Sequence, residues 1–171
     1  MIQYFAYGSN LHPLRLLERV PSAELVGTIA LKRYQLRFHK KSNDGSGKCS
    51  LLYTSDVSNF VCGAIYYIDP AHKNELDKFE GKGCGYIDNH IHFNIGGNKY
   101  SCFTYVAQQT HIIDNLRPYH WYKQLVVLGA RYLSFPGTYI SAIESVESIK
   151  DQDSERTMQN EALINRIIQY R

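Results

Sequence analysis

Glu80 has the setting most suited to chemistry among the titratable residues of this chain. It closes the stretch Ala71-His72-Lys73-Asn74-Glu75-Leu76-Asp77-Lys78-Phe79-Glu80, and Gly81 follows it. The C-terminal end of a helix carries partial negative charge, which disfavours a carboxylate there. Asp77, one turn back, adds like charge. Both effects work against the charged form of Glu80, unless Lys78 and Lys82 turn inward and offset them. A carboxyl held that way suits general acid–base work. The plain alternative is a solvated glutamate at a fraying helix end.

The second candidate is the run Ile2-Gln3-Tyr4-Phe5-Ala6-Tyr7-Gly8-Ser9-Asn10-Leu11. Tyr4, Phe5 and Tyr7 favour a buried strand. Gly8 stops it, and Ser9 and Asn10 turn the backbone or cap a helix. Pro13 then opens a short helix with Leu14, Leu16, Leu17 and Val20 on its apolar face. A loop between strand and helix presents free N–H groups and two short polar side chains at one point, a cradle for an anion. An ordinary N-terminal turn is the competing reading.

Other groups are weaker. His90 and His92 share one face of a strand, but no third ligand at a fixed spacing accompanies them, so they read as surface histidines rather than a metal pair. Ser9 is not in a Gly-x-Ser-x-Gly elbow, which weakens a serine hydrolase with His12 as base. Gly45-Ser46-Gly47-Lys48 invites a phosphate-loop reading. The motif's first glycine and its final Ser or Thr are replaced by Ser42 and Cys49, so the stretch Lys40 to Lys48 reads as a flexible loop beside a site. Tyr119, Trp121 and Tyr122 form an aromatic cluster without a basic stripe, which favours packing or substrate contact over base stacking.

These residues need elements to position them. Glu24 to Leu31, interrupted by Gly27, reads as a strand, as does Tyr34 to Phe38 with its alternating Arg33, Gln35 and Arg37. Ser50 to Thr54 is strand-like, and Phe60 to Ile68 is apolar enough to be central in a sheet. Asp69-Pro70 opens the helix that Gly81 ends. Gly83 and Gly85 keep the next turn open. Tyr86 to Ile95 and Lys99 to Ala107 read as a hairpin turning at Gly96-Gly97-Asn98. Helices follow at about His120 to Leu133, Tyr139 to Ile149 and Ser154 to Tyr170. Strands crowd the first two thirds and helices the last, which predicts an α+β fold with helices flanking a curved sheet or small mixed β-barrel.

The 171 residues predict one domain over 1–171, with the C-terminal helix at about 154–170 packed on it. Apolar residues make up 44% and charged residues 20%, as in globular proteins. A net charge of +3, from 19 basic and 16 acidic residues, is too small to argue for nucleic acid or a membrane surface. No stretch is apolar for the length of a membrane span, and Met1 leads directly into a strand without a signal region, so a cytoplasmic setting is expected. Cys49, Cys62, Cys84 and Cys102 include no Cys-x-x-Cys pair and read as buried free thiols.

Three segments carry a resemblance. Tyr4-Phe5-Ala6-Tyr7-Gly8-Ser9-Asn10-Leu11 resembles the N-terminal signature of the γ-glutamylcyclotransferase family. Leu76-Asp77-Lys78-Phe79-Glu80-Gly81, with its Gly-rich turn and Tyr86, resembles the second motif. Trp121-Tyr122-Lys123-Gln124-Leu125-Val126-Val127-Leu128-Gly129-Ala130 resembles the third. The resemblance implies a small mixed β-barrel with flanking helices. It also implies release of 5-oxoproline from γ-glutamyl compounds, with no metal and no organic cofactor. It places the catalytic glutamate on Glu80, the substrate-binding stretch on Tyr4, Phe5, Ala6, Tyr7, Gly8 and Ser9, and the binding tyrosine on Tyr122. The segment from Glu80 to Tyr86 is one residue shorter than in animal members, so Tyr86 receives no role. The implied partner is a small γ-glutamyl molecule, and a homodimer is compatible with it. The implied substrate is a γ-glutamyl amino acid. Open alternatives are a γ-glutamylamine cyclotransferase and a non-catalytic module that binds a glutamyl-like ligand on the same fold.

Overall fold

The computed structural model describes residues 1–95 and 98–170. Its centre is the first strand, β1 (Ile2–Ala6). The chain continues through α1 (Pro13–Leu17), β2 (Glu24–Lys32), β3 (Tyr34–Lys41), β4 (Gly47–Tyr53), β5 (Phe60–Ile68), α2 (Lys73–Glu80), β6 (Tyr86–Ile95), β7 (Asn98–Ala107), α3 (His120–Tyr132), α4 (Gly137–Glu144) and α5 (Ser154–Gln169). Five strands form one sheet in the order β2-β5-β1-β7-β6, and β3 and β4 form a separate two-stranded sheet. The larger sheet is the curved, open version of the expected architecture. β2 and β6 are its edges, and no closed barrel forms among the described residues.

β1 pairs antiparallel with β5, Tyr4 opposite Tyr66, and parallel with β7, Tyr4 opposite Phe103. Neighbours on both sides explain why Phe5 and Ala6 are wholly buried and why the strand lacks a polar face. Gly63 of β5 lies under the Phe5 ring, where a Cβ would meet it at 2.3 Å. β5 is an inner strand, as its apolar run predicts. β2 carries a bulge between Leu25 and Gly27, where Gly27 interrupts the strand pattern. The expected turn at Gly96-Gly97 lies outside the described residues.

The helices follow their local signals with two corrections. Asp69 accepts a hydrogen bond from the Ala71 N–H and starts the 3-10 turn Pro70–His72 that feeds α2. Gly81 ends α2 in the left-handed conformation, φ 66°. The N-cap of α1 is His12, whose ring accepts from the Leu14 N–H, while Ser9 and Asn10 sit in a 3-10 turn of their own. α4 ends at Glu144 rather than near Ile149. Lys123 Nζ binds the carbonyls of Glu144 and Val146, and Ile149 is drawn into a bridge with Tyr119, which consumes the backbone groups a longer helix would need. Asp153 caps α5 by accepting from the Arg156 N–H.

Gly129 lets α3 press on the turn after β1. A Cβ there would stand 2.5 Å from Leu11 Cβ and 3.0 Å from the His12 nitrogen. Tyr66 Oη donates to the Leu11 carbonyl from the other side, so this turn is clamped between sheet and helix. The core beneath includes Leu16, Ile68, Leu76, Leu125 and Val126, all fully buried and each stabilising by about 1.5–3 kcal/mol. Cys49, Cys62 and Cys102 are buried thiols as expected, whereas Cys84 is exposed, because it belongs to the Gly-rich turn after α2 rather than to a strand. No helix among the described residues is long and apolar enough to cross a membrane.

Candidate active site

Glu80 meets the first loop across the molecule. Its Oε1 accepts from Asn10 Nδ2 at 2.8 Å and from Arg19 Nη1 at 3.0 Å. Arg19 also donates to Asn10 Oδ1 at 3.0 Å, closing a three-residue ring. Asn10 Nδ2 is shared with Tyr4 Oη at 3.3 Å. Oε2 of Glu80 makes no hydrogen bond among the described residues. One oxygen is therefore fixed in place while the other is available.

The charges around Glu80 are not those the helix end alone implies. Asp77 turns to a separate cluster, where Lys73, Lys82 and Tyr105 all donate to its carboxylate. Burial pushes Asp77 up, but those hydrogen bonds outweigh it and hold the carboxyl below its ordinary range. Lys78 pairs with Glu75 and Lys82 with Asp77 and Asp88, so neither offsets Glu80. The cation in contact with Glu80 is Arg19, which follows α1.

Two adjoining cavities share Glu80 on their walls. The inner one, about 30 Å³, is bounded by the first loop, Tyr4, Tyr7, Glu80, Tyr105 and Tyr122, among others. Ser9, Glu80, Tyr86 and Tyr122 border both it and an outer cavity of about 170 Å³. Tyr122 Oη accepts the Cys49 N–H at 3.1 Å, and Tyr86 Oη donates to the Cys49 carbonyl at 2.5 Å. Burial pushes the phenols of Tyr4, Tyr7, Tyr86 and Tyr122 well up and the Cys49 thiol to about 12. These walls stay uncharged near neutral pH and act as hydrogen-bonding surfaces.

Of the residues singled out from sequence, Tyr4, Tyr7, Gly8, Ser9, Glu80 and Tyr122 come together here. Phe5 and Ala6 do not line either cavity. Phe5 packs on Tyr7 and Phe93, and its carbonyl accepts from Thr104 Oγ1, so it supports the strand from behind. Tyr86, left without a role, lies on the shared wall. Lys40, Ser42, Asp44 and Lys48 line the outer cavity, so the Lys40 to Lys48 stretch does lie beside the site. Gly47-Lys48 begins a strand, which excludes the loop-to-helix geometry of a phosphate loop.

The weaker candidates separate. His90 and His92 are exposed, and among the described residues no cluster of metal-ligating side chains forms. His12 uses Nδ1 to cap α1 and packs against Tyr132 and Tyr170, so it is not a base for Ser9. The aromatic cluster on α3 instead surrounds a cation. Lys48 Nζ lies 4.8 Å from the Trp121 ring centre and 4.7 Å from that of Tyr122, while bound to Asp44 at 2.8 Å.

The sequence places Asn10 beside Ser9 in the loop cradle but not against Glu80, and it gives no site signal for Arg19. Asn10 reads locally as a turn residue, and Arg19 as a polar position after the leucines. Arg15 carries no local signal, and Lys40 reads only as part of a loop beside a site, since their surroundings come from distant segments.

A family model described as "Gamma-glutamyl cyclotransferase, AIG2-like" matches residues 4–124. The "Gamma-glutamylcyclotransferase" of Bos taurus is 29% identical over 150 residues, covering 84% of this chain and 78% of the relative. The protein of the same name from Homo sapiens is 27% identical over the same shares. A solved structure described as "Gamma-glutamyl cyclotransferase" superposes with a TM-score of 0.82 at 23% identity, covering 96% of this chain and 98% of that one, which shows a common fold. The match spans the loop after β1, the end of α2 and the start of α3, the three places from which the cavity walls are built, and the chain belongs to the Gamma-glutamyl cyclotransferase, AIG2-like family.

Proposed function

We propose that this chain is a γ-glutamylcyclotransferase that converts γ-glutamyl amino acids to 5-oxoproline and a free amino acid, with Glu80 as general acid and base. The supporting observation is the state of the Glu80 carboxyl. Asn10 and Arg19 hold Oε1, Oε2 is unengaged, and the group stands on the wall between two cavities.

In the reaction the α-amine of the glutamyl group attacks its own γ-carbonyl carbon. The amine is largely protonated near neutral pH and must lose a proton to become a nucleophile. Glu80 Oε2 takes that proton. After attack the ring nitrogen gives up its second proton to solvent, the C–N bond to the leaving amine breaks, and Oε2 returns its proton to the departing nitrogen, which leaves as the free amine. The five-membered ring closes within one molecule, so holding the reactive conformer is a large part of the task. Tyr4, Tyr7, Gly8, Ser9 and Tyr122 form the binding surface in this proposal. The N–H groups of Gly8 and Ser9 make no hydrogen bond among the described residues, which supports their use as donors to the α-carboxylate or the developing oxyanion.

The proposal treats residues 1–171 as one domain. A cytoplasmic setting goes with it, supported by four thiols that all remain unpaired. It is compatible with a homodimer, which sedimentation would read directly. The activity test is incubation with γ-glutamyl-alanine and detection of 5-oxoproline. Glu80→Gln should abolish turnover while leaving the circular dichroism spectrum unchanged. Normal turnover by that variant would remove Glu80 from the mechanism.

A further inference from the structure

Two cations of the outer cavity touch no carboxylate among the described residues, although Glu80 lies near enough to act on both and Asp44 on Lys40. Arg15 is only 8% exposed, and among the described residues it makes no hydrogen bond or salt bridge. Its Nε is enclosed without an acceptor. Lys40 is 5% exposed and also lacks a carboxylate partner among the described residues. Its Nζ lies 4.4 Å from the centre of the Tyr86 ring. Gly85 leaves room for the Lys40 chain, since a Cβ there would stand 2.7 Å from Lys40 Cε. The cavity's other cations are paired, Arg19 with Glu80 and Lys48 with Asp44.

The lining carries four cations, Arg15, Arg19, Lys40 and Lys48, against two carboxylates, Asp44 and Glu80, and this excess of buried positive charge leaves the cavity complementary to an anion. Burial, with Arg19 beside it, brings the Arg15 guanidinium down to about 9, still above neutral pH, so it remains a cation. The inner cavity has room for one small group near the loop N–H donors, so the remainder of a bound substrate extends into the outer one.

We propose that Arg15 and Lys40 anchor the carboxylate of the departing amino acid and thereby set the leaving-group class. The chain takes γ-glutamyl amino acids, whose free carboxylate is next to the scissile amide, and discriminates against γ-glutamyl-amines. This proposal rests on the cyclotransferase reading and adds specificity to it. The anchor touches the end of the substrate that leaves, so it is separate from the proton transfer at Glu80.

The test compares γ-glutamyl-alanine with γ-glutamyl-alaninamide, which lacks only that carboxylate, in the native protein, Arg15→Gln and Lys40→Gln. A charge-assisted hydrogen bond to a carboxylate corresponds to about 10–100-fold in binding. The native protein should prefer the acid by at least about 10-fold in kcat/KM, mainly through KM. In each folded variant that ratio should fall toward one. Equal kcat/KM for both peptides in the native protein overturns the anchor while leaving the cyclotransferase reading in place. So does a preference for the acid that survives in both variants. The native comparison stands even if a variant fails to fold. Absence of 5-oxoproline from both peptides defeats the activity itself and the anchor with it.

Discussion

Asn10 Nδ2 donates to Glu80 Oε1 at 2.8 Å across 70 positions of sequence. The bond joins the turn after β1 to the end of α2, and it fixes which carboxyl oxygen is left open. Asn10→Ala should lower kcat about 10–100-fold, the range expected for losing a hydrogen bond to a charged group, with a smaller change in KM. Steady-state assays of 5-oxoproline release check this. An unchanged kcat would mean that Arg19 alone positions the carboxyl.

Gly129 presses α3 onto Leu11 and His12. Gly129→Ala should overpack that contact and cost about 1–3 kcal/mol. For a chain of this size each kcal/mol corresponds to about 2–4 °C in Tm, so calorimetry should read a clear drop. Activity should fall too, because the added methyl pushes on the turn that carries Ser9 and Asn10.

His12 makes the fold sensitive to acid. Burial holds its pKa at about 4 against an ordinary 6.5, and its Nδ1 accepts the Leu14 N–H, which requires the neutral ring. The unfolded chain therefore takes up a proton at higher pH than the folded one. The contribution of neutral His12 is complete above about 6.5 and declines as pH falls toward about 4. His12→Asn retains an acceptor but does not titrate. Its urea midpoint should fall less between pH 7 and 4.5 than that of the native protein. Parallel declines would rule out His12 as a source of this sensitivity.

Asp151 ties α5 to α3. Its buried carboxylate accepts from Trp121 Nε1 at 2.9 Å and Arg156 Nε at 2.6 Å. The Arg156 hydrogen bonds hold its carboxyl well below the usual range, so it stays ionised until strongly acidic pH. Asp151→Asn should destabilise the protein by about 1–3 kcal/mol, since Arg156 remains partly hydrated and part of the lost pairing is replaced by water. The chain has a single tryptophan, so its intrinsic fluorescence should shift in this variant. An unperturbed emission spectrum would show that Trp121 is held by packing alone.

Local pattern revealed a good share of this molecule. Asp69-Pro70 and Gly81 bracket the helix segment that delivers Glu80, because caps depend on neighbouring residues. β5 was legible from its unbroken apolar run. Arg15 lies between Leu14 and Leu16 and reads as the outer face of an amphipathic helix. α1 is only five residues long and is covered on that side as well, so Arg15 is buried. Lys40 looked like a loop residue, yet it sits in β3 against Tyr86. In both cases the neighbours come from remote segments, which leave no periodic signal near the residue itself. The overlong expectation for α4 has a similar origin. Its apolar spacing continues past Glu144, while the chain is diverted by Lys123 and Tyr119.

β1 is flanked in the finished sheet by β5 and β7, which both lie well downstream of it in the chain. During translation β1 therefore leaves the ribosome with both backbone edges unoccupied and no mate yet available. It cannot be fully enclosed until the residues through Ala107 have emerged. A nascent chain stalled before that point would display a bare, sticky ribbon, so the need for chaperone protection should be greatest before β7 emerges and subside once it arrives.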